Sequence, residues 1–145
     1  MKKVILACIF ATIVPVFAEP VLAGIPLLGG PTLCTSDRIL ARAFKSKTSG
    51  FMVKFQGTVI EKLPDDTEGS RHQRFIVRLE SKQTLLIAHN IDLAPRVSKL
   101  KVSNMVTIYG EYIWNDRGGL VHQTHRLPNG SAGGGWIRHR GVLYR

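Results

Sequence analysis

The sequence predicts an all-β domain, a small antiparallel barrel of five to six strands with one short N-terminal helix. After residue 50, apolar and polar residues alternate in several short segments that are separated by turn-forming residues. Helical periodicity is confined to one segment before them, so the alternation of strands and helices that builds a parallel sheet is missing. Closure into a barrel suits about 95 residues because it removes exposed sheet edges.

The first 23 residues have the layout of a secretory signal peptide. Lys2 and Lys3 precede an apolar run at residues 4–18, and Ala23 is a small residue suited to cleavage. The apolar run is shorter than the roughly 20 residues of a membrane-spanning helix, and prolines interrupt it. We therefore expect an exported protein, periplasmic or secreted, with no stable membrane span after cleavage.

The chain after residue 23 is strongly basic. It has 18 Lys and Arg residues against nine Asp and Glu residues, a net charge of +9. Such a charge favours an anionic partner, which could be nucleic acid, anionic lipid or acidic glycan. Cys34 is the one cysteine left after cleavage, so an internal disulfide is excluded and the core must hold the fold. The oligomeric state stays open.

Two segments precede the strands. Residues 24–34 are rich in glycine and proline and predict an extended linker. Residues 35–48 predict a short amphipathic helix, with Thr35 or Ser36 as its N-cap and Asp37 favouring its N-terminus. Its apolar face is predicted to contain Ile39, Leu40, Ala43 and Phe44.

The barrel is predicted at residues 50–145, and each strand follows from alternation along the chain. The inner face of the first strand is predicted to be Phe51, Val53, Phe55, Gly57 and Val59. The inner face of the second is Phe75, Val77 and Leu79, with Arg74 and Arg78 outside. Further strands are predicted at residues 84–91, 105–114 and 120–127, with a final short strand at 136–144. A glycine-rich loop, residues 128–135, precedes the last of these.

The spacing of these strands is close to that of an OB-fold, a five-stranded Greek-key barrel. Gly57 would curve the first strand, and a polar turn leads into the fourth. A β-sandwich or an SH3-like barrel also fits the pattern. The prediction is therefore an OB-like barrel, with these two alternatives open.

Histidines are the candidates for catalysis or metal binding. His122 and His125 are three residues apart, and on a strand such positions face opposite sides, so the pair is poorly placed to share a metal. The sequence lacks the common metal, phosphate-loop and nucleophile motifs. We predict no metal site and no cofactor.

His89 lies at the end of the apolar third strand. It shares a strand face with Leu85 and Ile87, which is typical of a hydrogen-bonded core histidine. Asn90 and Arg96 make the exit of the strand polar, however, and such an exit could line the mouth of a barrel where ligands bind. Both interpretations stay open.

Aromatic and basic residues suggest a ligand surface. The aromatic residues that could stack on bases are Tyr109, Tyr112, Trp114 and Trp136, and the arginines that could contact phosphates are Arg74, Arg78, Arg126, Arg138 and Arg140. Tyr109 and the two tryptophans could instead fill the ends of the barrel as core. The segment GGGWIRHRG, residues 133–141, is the densest basic and aromatic stretch. The predicted ligand-binding residues are Arg74, His89, Asn90, Arg96, Trp114, Asn115, His122, His125, Trp136 and His139.

Four segments resemble one family of small exported bacterial proteins of unknown function, DUF3465. They are HQRFIVRL, QTLLIAHNIDLAPRV, YGEYIWNDRGGLVH and GGWIRHRGVLY, and the resemblance spans roughly residues 50–144. After the hairpin the family pattern is close to H-W-T-H-H-D-P, whereas this chain has Gln123, Arg126 and Leu127 in place of Trp, the third His and Asp. The resemblance implies an OB-like barrel but no activity. Any chemistry that the three replaced residues serve in the family would be lost or changed in this chain.

Two functional hypotheses are developed from these residues, and a structural or stress-tolerance role in the envelope also stays open. The first is a non-enzymatic module that binds an anionic ligand, either nucleic acid or an envelope polymer. The alternative is a hydrolase, such as a metal-assisted phosphodiesterase, with His89, His122 and His125 as acid or base groups. Binding is favoured because no motif supplies a nucleophile or a complete set of metal ligands.

Overall fold

A computed structural model describes residues 34–127 and 134–145. The predicted signal peptide, the linker up to residue 33 and most of the glycine-rich loop lie outside the described residues. The elements are α1 (Thr35–Ser46), β1 (Phe51–Lys62), β2 (His72–Arg78), β3 (Thr84–Asn90), β4 (Met105–Ile113), β5 (Leu120–His122), β6 (Trp136–His139) and β7 (Val142–Tyr144).

Five strands close into a barrel in the order β1-β2-β3-β5-β4, and β4 pairs back with β1. The predicted all-β barrel with one short helix is confirmed. The expectation of a purely antiparallel barrel is wrong, since β3 and β5 pair in parallel with Leu86 opposite Leu120. A closed ring with an odd number of strands cannot be antiparallel at every pairing, so one parallel pair is unavoidable. β6 and β7 extend the sheet beyond β4.

The barrel interior follows the alternation read from the sequence. Val53, Phe55 and Val59 point inward from β1. The residue between Phe55 and Val59 on this face is Gly57, and Val77 of β2 packs against its backbone. A Cβ atom at Gly57 would lie 3.0 Å from the Cβ atom of Val77. The main buried apolar side chains are Val53, Phe55, Val59, Phe75, Val77, Leu85, Ile87, Ile108, Tyr112, Val121 and Ile137. Their removal from water stabilises the fold.

The N-cap of helix α1 lies one residue earlier than predicted, although the helix begins at Thr35. Cys34 is the N-cap residue and makes no side-chain capping bond, so the expectation of Thr35 or Ser36 as cap is wrong. A hydrogen bond with the Ser36 hydroxyl lowers the pKa of the exposed Cys34 thiol. The helix ends at Ser46, before the predicted residue 48, because Lys47 adopts a left-handed conformation.

The helix packs on the barrel through a narrower face than predicted. Leu40 and Ala43 are buried, whereas Ile39 and Phe44 stay 47% and 36% exposed. Buried Asp37 accepts a hydrogen bond from the backbone amide of Ser81, which is 2.9 Å away. Throughout residues 34–127 and 134–145, no helix has the length and apolar content needed to cross a bilayer.

Two predicted strands differ from the structure. The strand expected at 120–127 stops at His122, because Gln123 has a φ of 49° and turns the chain out of the sheet. The single strand expected at 136–144 is a hairpin of β6 and β7. Arg140 and Gly141 form its two-residue turn with φ values of 50° and 80°, as the twist of a tight hairpin requires.

Candidate functional site

Strands β1, β4 and β6 lie side by side and form a solvent-facing surface. Lys54 is paired with Tyr109, and Tyr109 is paired with Trp136. Side chains of paired residues point to the same side of a sheet, so these three form a row across three strands. A second row lies beside it. This second row consists of Gln56, Thr107 and Arg138. We call the six residues of the two rows the basic aromatic face.

Trp136 holds two cations close together on this face. The Lys54 Nζ atom lies 5.6 Å from the centre of the indole ring, and the Arg138 Cζ atom lies 5.5 Å from it. Tyr109 extends the aromatic surface, with its ring centre 6.1 Å from that of Trp136. Attraction between each cation and the indole ring therefore keeps two positive charges at one place on the surface.

The cations of the basic aromatic face are not neutralised by neighbouring acids. Lys54 and Arg138 are exposed, and in the part of the chain that the structure describes no carboxylate oxygen lies within 4.0 Å of either one. Exposed cations without acidic partners attract an anion more strongly than paired ones do. This face is consequently the strongest candidate for an anion-binding site.

The arginines that the sequence suggested are placed differently. Arg96 makes two hydrogen bonds to the carboxylate of Asp65, and Arg74 lies 4.0 Å from that of Asp66. The Arg96 guanidinium lowers the pKa of Asp65. Arg74 and Arg96 thus fasten the β1–β2 loop to the rest of the barrel, and much of their charge is balanced there.

A further ion pair closes the same end of the barrel. Arg71 donates to Asp92 from its backbone amide and from its Nε atom, each over 2.8 Å. The backbone bond is the main cause, and the side-chain bond the next, of a lowered pKa at Asp92. Asp65, Asp66 and Asp92 therefore stabilise the β1–β2 loop and its surroundings by pairing with arginines.

His89 is a buried core residue with both ring nitrogens bonded. Its Nδ1 atom lies 2.8 Å from the hydroxyl oxygen of Thr124, and its Nε2 atom lies 3.1 Å from the carbonyl oxygen of Pro95. Burial lowers the pKa of His89, and the nearby charges of His125 and His72 lower it further. A neutral ring with no free lone pair is poorly suited to act as a base or to bind a metal.

The two predicted asparagines hold turns. The Asn90 side-chain oxygen accepts hydrogen bonds from the backbone amides two and three residues later, at 2.9 and 3.2 Å. The Asn115 oxygen does the same for the amides two and four residues later, at 2.9 and 3.0 Å. Both are therefore turn-forming residues whose acceptors are already used.

Trp114 fastens α1 to the barrel. Its indole nitrogen donates to the carbonyl oxygen of Phe44 over 3.0 Å, and the ammonium group of Lys47 lies 5.2 Å from its ring centre. These contacts join the end of α1 to the end of β4. The structure thus gives Trp114 a packing role away from Trp136.

His122 and His125 contact different partners. His122 lies across from Glu111 in the β4–β5 pair, with 3.2 Å between Nε2 and a carboxylate oxygen but no well-aligned hydrogen bond. The Nδ1 atom of His125 lies 2.7 Å from the carbonyl oxygen of Arg126. Within residues 34–127 and 134–145, no three histidine, cysteine, aspartate or glutamate side chains are grouped so that they could hold a metal ion.

His139 is enclosed at the far end of β6. Its Nδ1 atom lies 3.2 Å from the carbonyl oxygen of Ser98, and its Nε2 atom lies 2.9 Å from the side-chain oxygen of Asn104. The Asn104 oxygen also accepts from the backbone amide of Lys101. His139 therefore links the loop before β4 to β6.

A family model described as "Protein of unknown function (DUF3465)" matches residues 25–145. The chain belongs to the DUF3465 family. No curated protein matches it. Membership confirms the resemblance read from the sequence, and the closed five-strand barrel is consistent with the OB-like fold that the resemblance implied. The family description supplies no activity, so function has to be argued from this member's own residues.

In this DUF3465 member, the basic aromatic face contains Trp136, which was predicted as a ligand-binding residue, and Tyr109, which was a candidate for stacking on bases. Arg138 lay in the basic stretch that the sequence singled out, but Lys54, Gln56 and Thr107 carried no signal beyond an outward position on a strand. The pairing of β1 with β4 and of β4 with β6 brings them together. Such pairing between distant segments is set by the fold and cannot be read from local alternation.

Proposed function

We propose that this protein is a non-enzymatic module that binds an anionic ligand on the basic aromatic face. The observation that carries the proposal is the gathering of Lys54 and Arg138 around Trp136, at 5.6 and 5.5 Å from its ring centre. Two exposed cations suit phosphate, sulfate or carboxylate groups, and the indole offers a flat apolar surface to a base or a sugar ring. Nucleic acid and acidic envelope polymers combine both features.

The charge of the whole chain supports this proposal. The +9 charge of the segment after residue 23 would draw a polyanion toward the protein and raise the rate of encounter. The uncompensated cations of the basic aromatic face would then retain it. The signal-peptide layout further leads us to propose that the ligand is met after export, in the periplasm or outside the cell.

Binding assays with three anionic polymers test the proposal. Fluorescently labelled single-stranded nucleic acid, an acidic polysaccharide and vesicles with anionic lipid would be titrated with the exported protein at low salt. We expect at least one to bind with a Kd in the micromolar range or below, and binding to weaken steeply as salt is added. Failure of all three to bind at low salt would contradict the proposal.

A matched pair of double variants locates the site. Lys54→Gln with Arg138→Gln removes the two cations of the face, whereas Lys62→Gln with Arg117→Gln removes two exposed cations elsewhere. The first variant is expected to raise Kd at least about tenfold, and the second less than about threefold, because only the first removes direct contacts. Equal losses would mean that net charge alone attracts the ligand.

No contact in the described residues favours the alternative hydrolase. Both nitrogens of His89 are engaged, and one nitrogen of His125 is taken by a carbonyl oxygen. His122 lies beside the Glu111 carboxylate on another strand pair. Within residues 34–127 and 134–145 no group of three histidine, cysteine, aspartate or glutamate side chains could hold a metal ion, so we favour the binding module over a metal-assisted hydrolase.

A further inference from the structure

A groove of about 600 Å³ lies directly beside the basic aromatic face. Lys54, Gln56 and Thr107 line the groove and are also members of the face. The remaining wall includes Arg78 at the end of β2 and Met105 at the start of β4. The groove and the face are therefore one continuous surface with three residues in common.

The two ends of this surface are far enough apart to contact a polymer at several points. The strands lie in the order β2-β1-β4-β6, with Arg78 on β2 and Trp136 on β6. Four adjacent strands span roughly 14 Å, at about 4.8 Å between neighbours. Arg78 is paired with Thr58, which is four residues along β1 from Lys54, or roughly 13 Å. The diagonal from Trp136 to Arg78 is consequently about 20 Å.

The chemistry along this diagonal alternates between cations and apolar surfaces. Trp136 with Lys54 and Arg138 forms one end, and Arg78 forms the other. Met105 lies in the same row as Arg78, since both are paired with Thr58, and it is 64% exposed although it is large and apolar. The groove also includes acidic Glu80 at its rim, and the carboxylate of Asp37 is occupied by the Ser81 amide.

We propose, on the basis of the proposed function, that the groove and the basic aromatic face form one binding track for single-stranded nucleic acid, about four nucleotides long, which is the lower end of the range for one OB-fold. A single strand offers bases for contact with Trp136 and Met105 and phosphates for contact with Lys54, Arg138 and Arg78. Stacking on exposed aromatic residues and backbone contacts to cations are how single strands are held without sequence preference. A duplex keeps its bases stacked inside and cannot offer them to the same residues.

Oligothymidylates of two, four, six and twelve nucleotides test the length of the track. Affinity is expected to rise steeply up to about four nucleotides and then only slightly, since a longer strand adds no contact with the protein. A twelve-base-pair DNA duplex should bind at least about tenfold more weakly than the twelve-nucleotide single strand. An acidic polysaccharide that binds more tightly than every oligonucleotide would overturn this inference and leave the proposed function intact.

Arg78→Gln tests the far end of the track. The variant is expected to raise Kd for the six-nucleotide ligand about fivefold, the loss of one charged contact, and to leave Kd for the two-nucleotide ligand within about twofold. Lys62→Gln is the matched control, and thermal unfolding of both variants checks their folding. If Arg78→Gln behaves like Lys62→Gln with every ligand, the track ends at the basic aromatic face and the inference fails. If the unsubstituted protein binds no polyanion, the proposed function fails as well.

Discussion

The Nδ1 atom of His89 lies 2.8 Å from the hydroxyl oxygen of Thr124, while Nε2 of the same ring lies 3.1 Å from the carbonyl oxygen of Pro95. A carbonyl oxygen can only accept, so Nε2 carries the proton and the Thr124 hydroxyl donates to Nδ1. The ring thereby joins the turn after β3 to the segment after β5. This explains why a histidine stands at the end of an apolar strand, since it completes the core with every polar atom bonded.

Replacing Thr124 with valine tests this bond. Thr124→Val keeps the shape of the side chain but removes the hydroxyl, so buried Nδ1 would lose its donor. A buried polar atom without a partner costs roughly 1–3 kcal/mol, and we expect the free energy of unfolding in urea to fall by that amount. Thr58→Val, on the outer face of β1, is the control and should change it by less than about 0.5 kcal/mol. Equal stability of both variants would contradict the proposed role of the bond.

The lowered pKa of His89 predicts a loss of stability in mild acid. The unfolded chain binds a proton at His89 near its ordinary pKa of about 6.5, whereas burial keeps the folded ring neutral to lower pH. The full stability is therefore present above pH 6.5 and falls as the pH decreases below it, by up to about 1.4 kcal/mol per pH unit.

Urea unfolding at several pH values between 7.5 and 5 measures this dependence. His89→Gln is expected to be less stable at every pH, because the glutamine cannot reproduce both hydrogen bonds. Its stability should nevertheless decrease less between pH 6.5 and 5 than that of the unsubstituted protein. The same decrease in both proteins would assign the pH dependence to other groups.

The alternation in β1 could be predicted from the sequence because it depends on local contacts, and Val53, Phe55 and Val59 are all inside. The end of β5 could not be predicted. Thr124 and His125 are buried in succession after the turn at Gln123, which breaks the alternation. That turn is stabilised by groups distant in sequence, such as the Thr124 hydroxyl on His89 and the Gly135 amide, which donates to Gln123.

Only part of the candidate site could be predicted, because contacts between residues distant in sequence bring its members together. Trp136 stood out by residue type, but Lys54 differs from other exposed lysines only through strand pairings that local sequence does not reveal. Arg74 and Arg96 had suitable chemistry for an anion site. The sequence also shows the acidic loop that pairs with them, but it does not show that Asp65 reaches Arg96 across 31 positions.

The carboxylate of Asp37 attaches α1 to the turn between β2 and β3. Its carboxylate accepts the Ser81 amide at 2.9 Å in a buried position, so Asp37→Ala would leave that amide without a partner. We expect the free energy of unfolding to fall by about 1–3 kcal/mol and amide hydrogen exchange within α1 to become faster. Asp37→Asn retains an acceptor oxygen and should lose less. Glu80→Ala changes the exposed residue next to Ser81 and is the control. Unchanged amide hydrogen exchange within α1 in Asp37→Ala would contradict the attachment of α1 by Asp37.

Salt dependence separates the two kinds of contact proposed for the basic aromatic face. For single-stranded nucleic acid, each phosphate contact adds about 0.7 to the magnitude of the slope of log K against log salt concentration. Lys54→Gln with Arg138→Gln should therefore reduce that magnitude by about 1.4. Trp136→Leu keeps both charges, so it should weaken binding at least about fivefold at every salt concentration with little change in slope, since stacking releases no counterions.

The two variants together decide what the indole of Trp136 does. A slope reduced by Trp136→Leu as much as by the double variant would mean that the ring acts by holding Lys54 and Arg138 in place, 5.6 and 5.5 Å from its centre, and makes no stacking contact. A slope unchanged in both would mean that the phosphates lie elsewhere on the protein. Stacking on Trp136 is supported only if affinity and slope respond separately, because the two cations and the ring then contact different parts of the ligand.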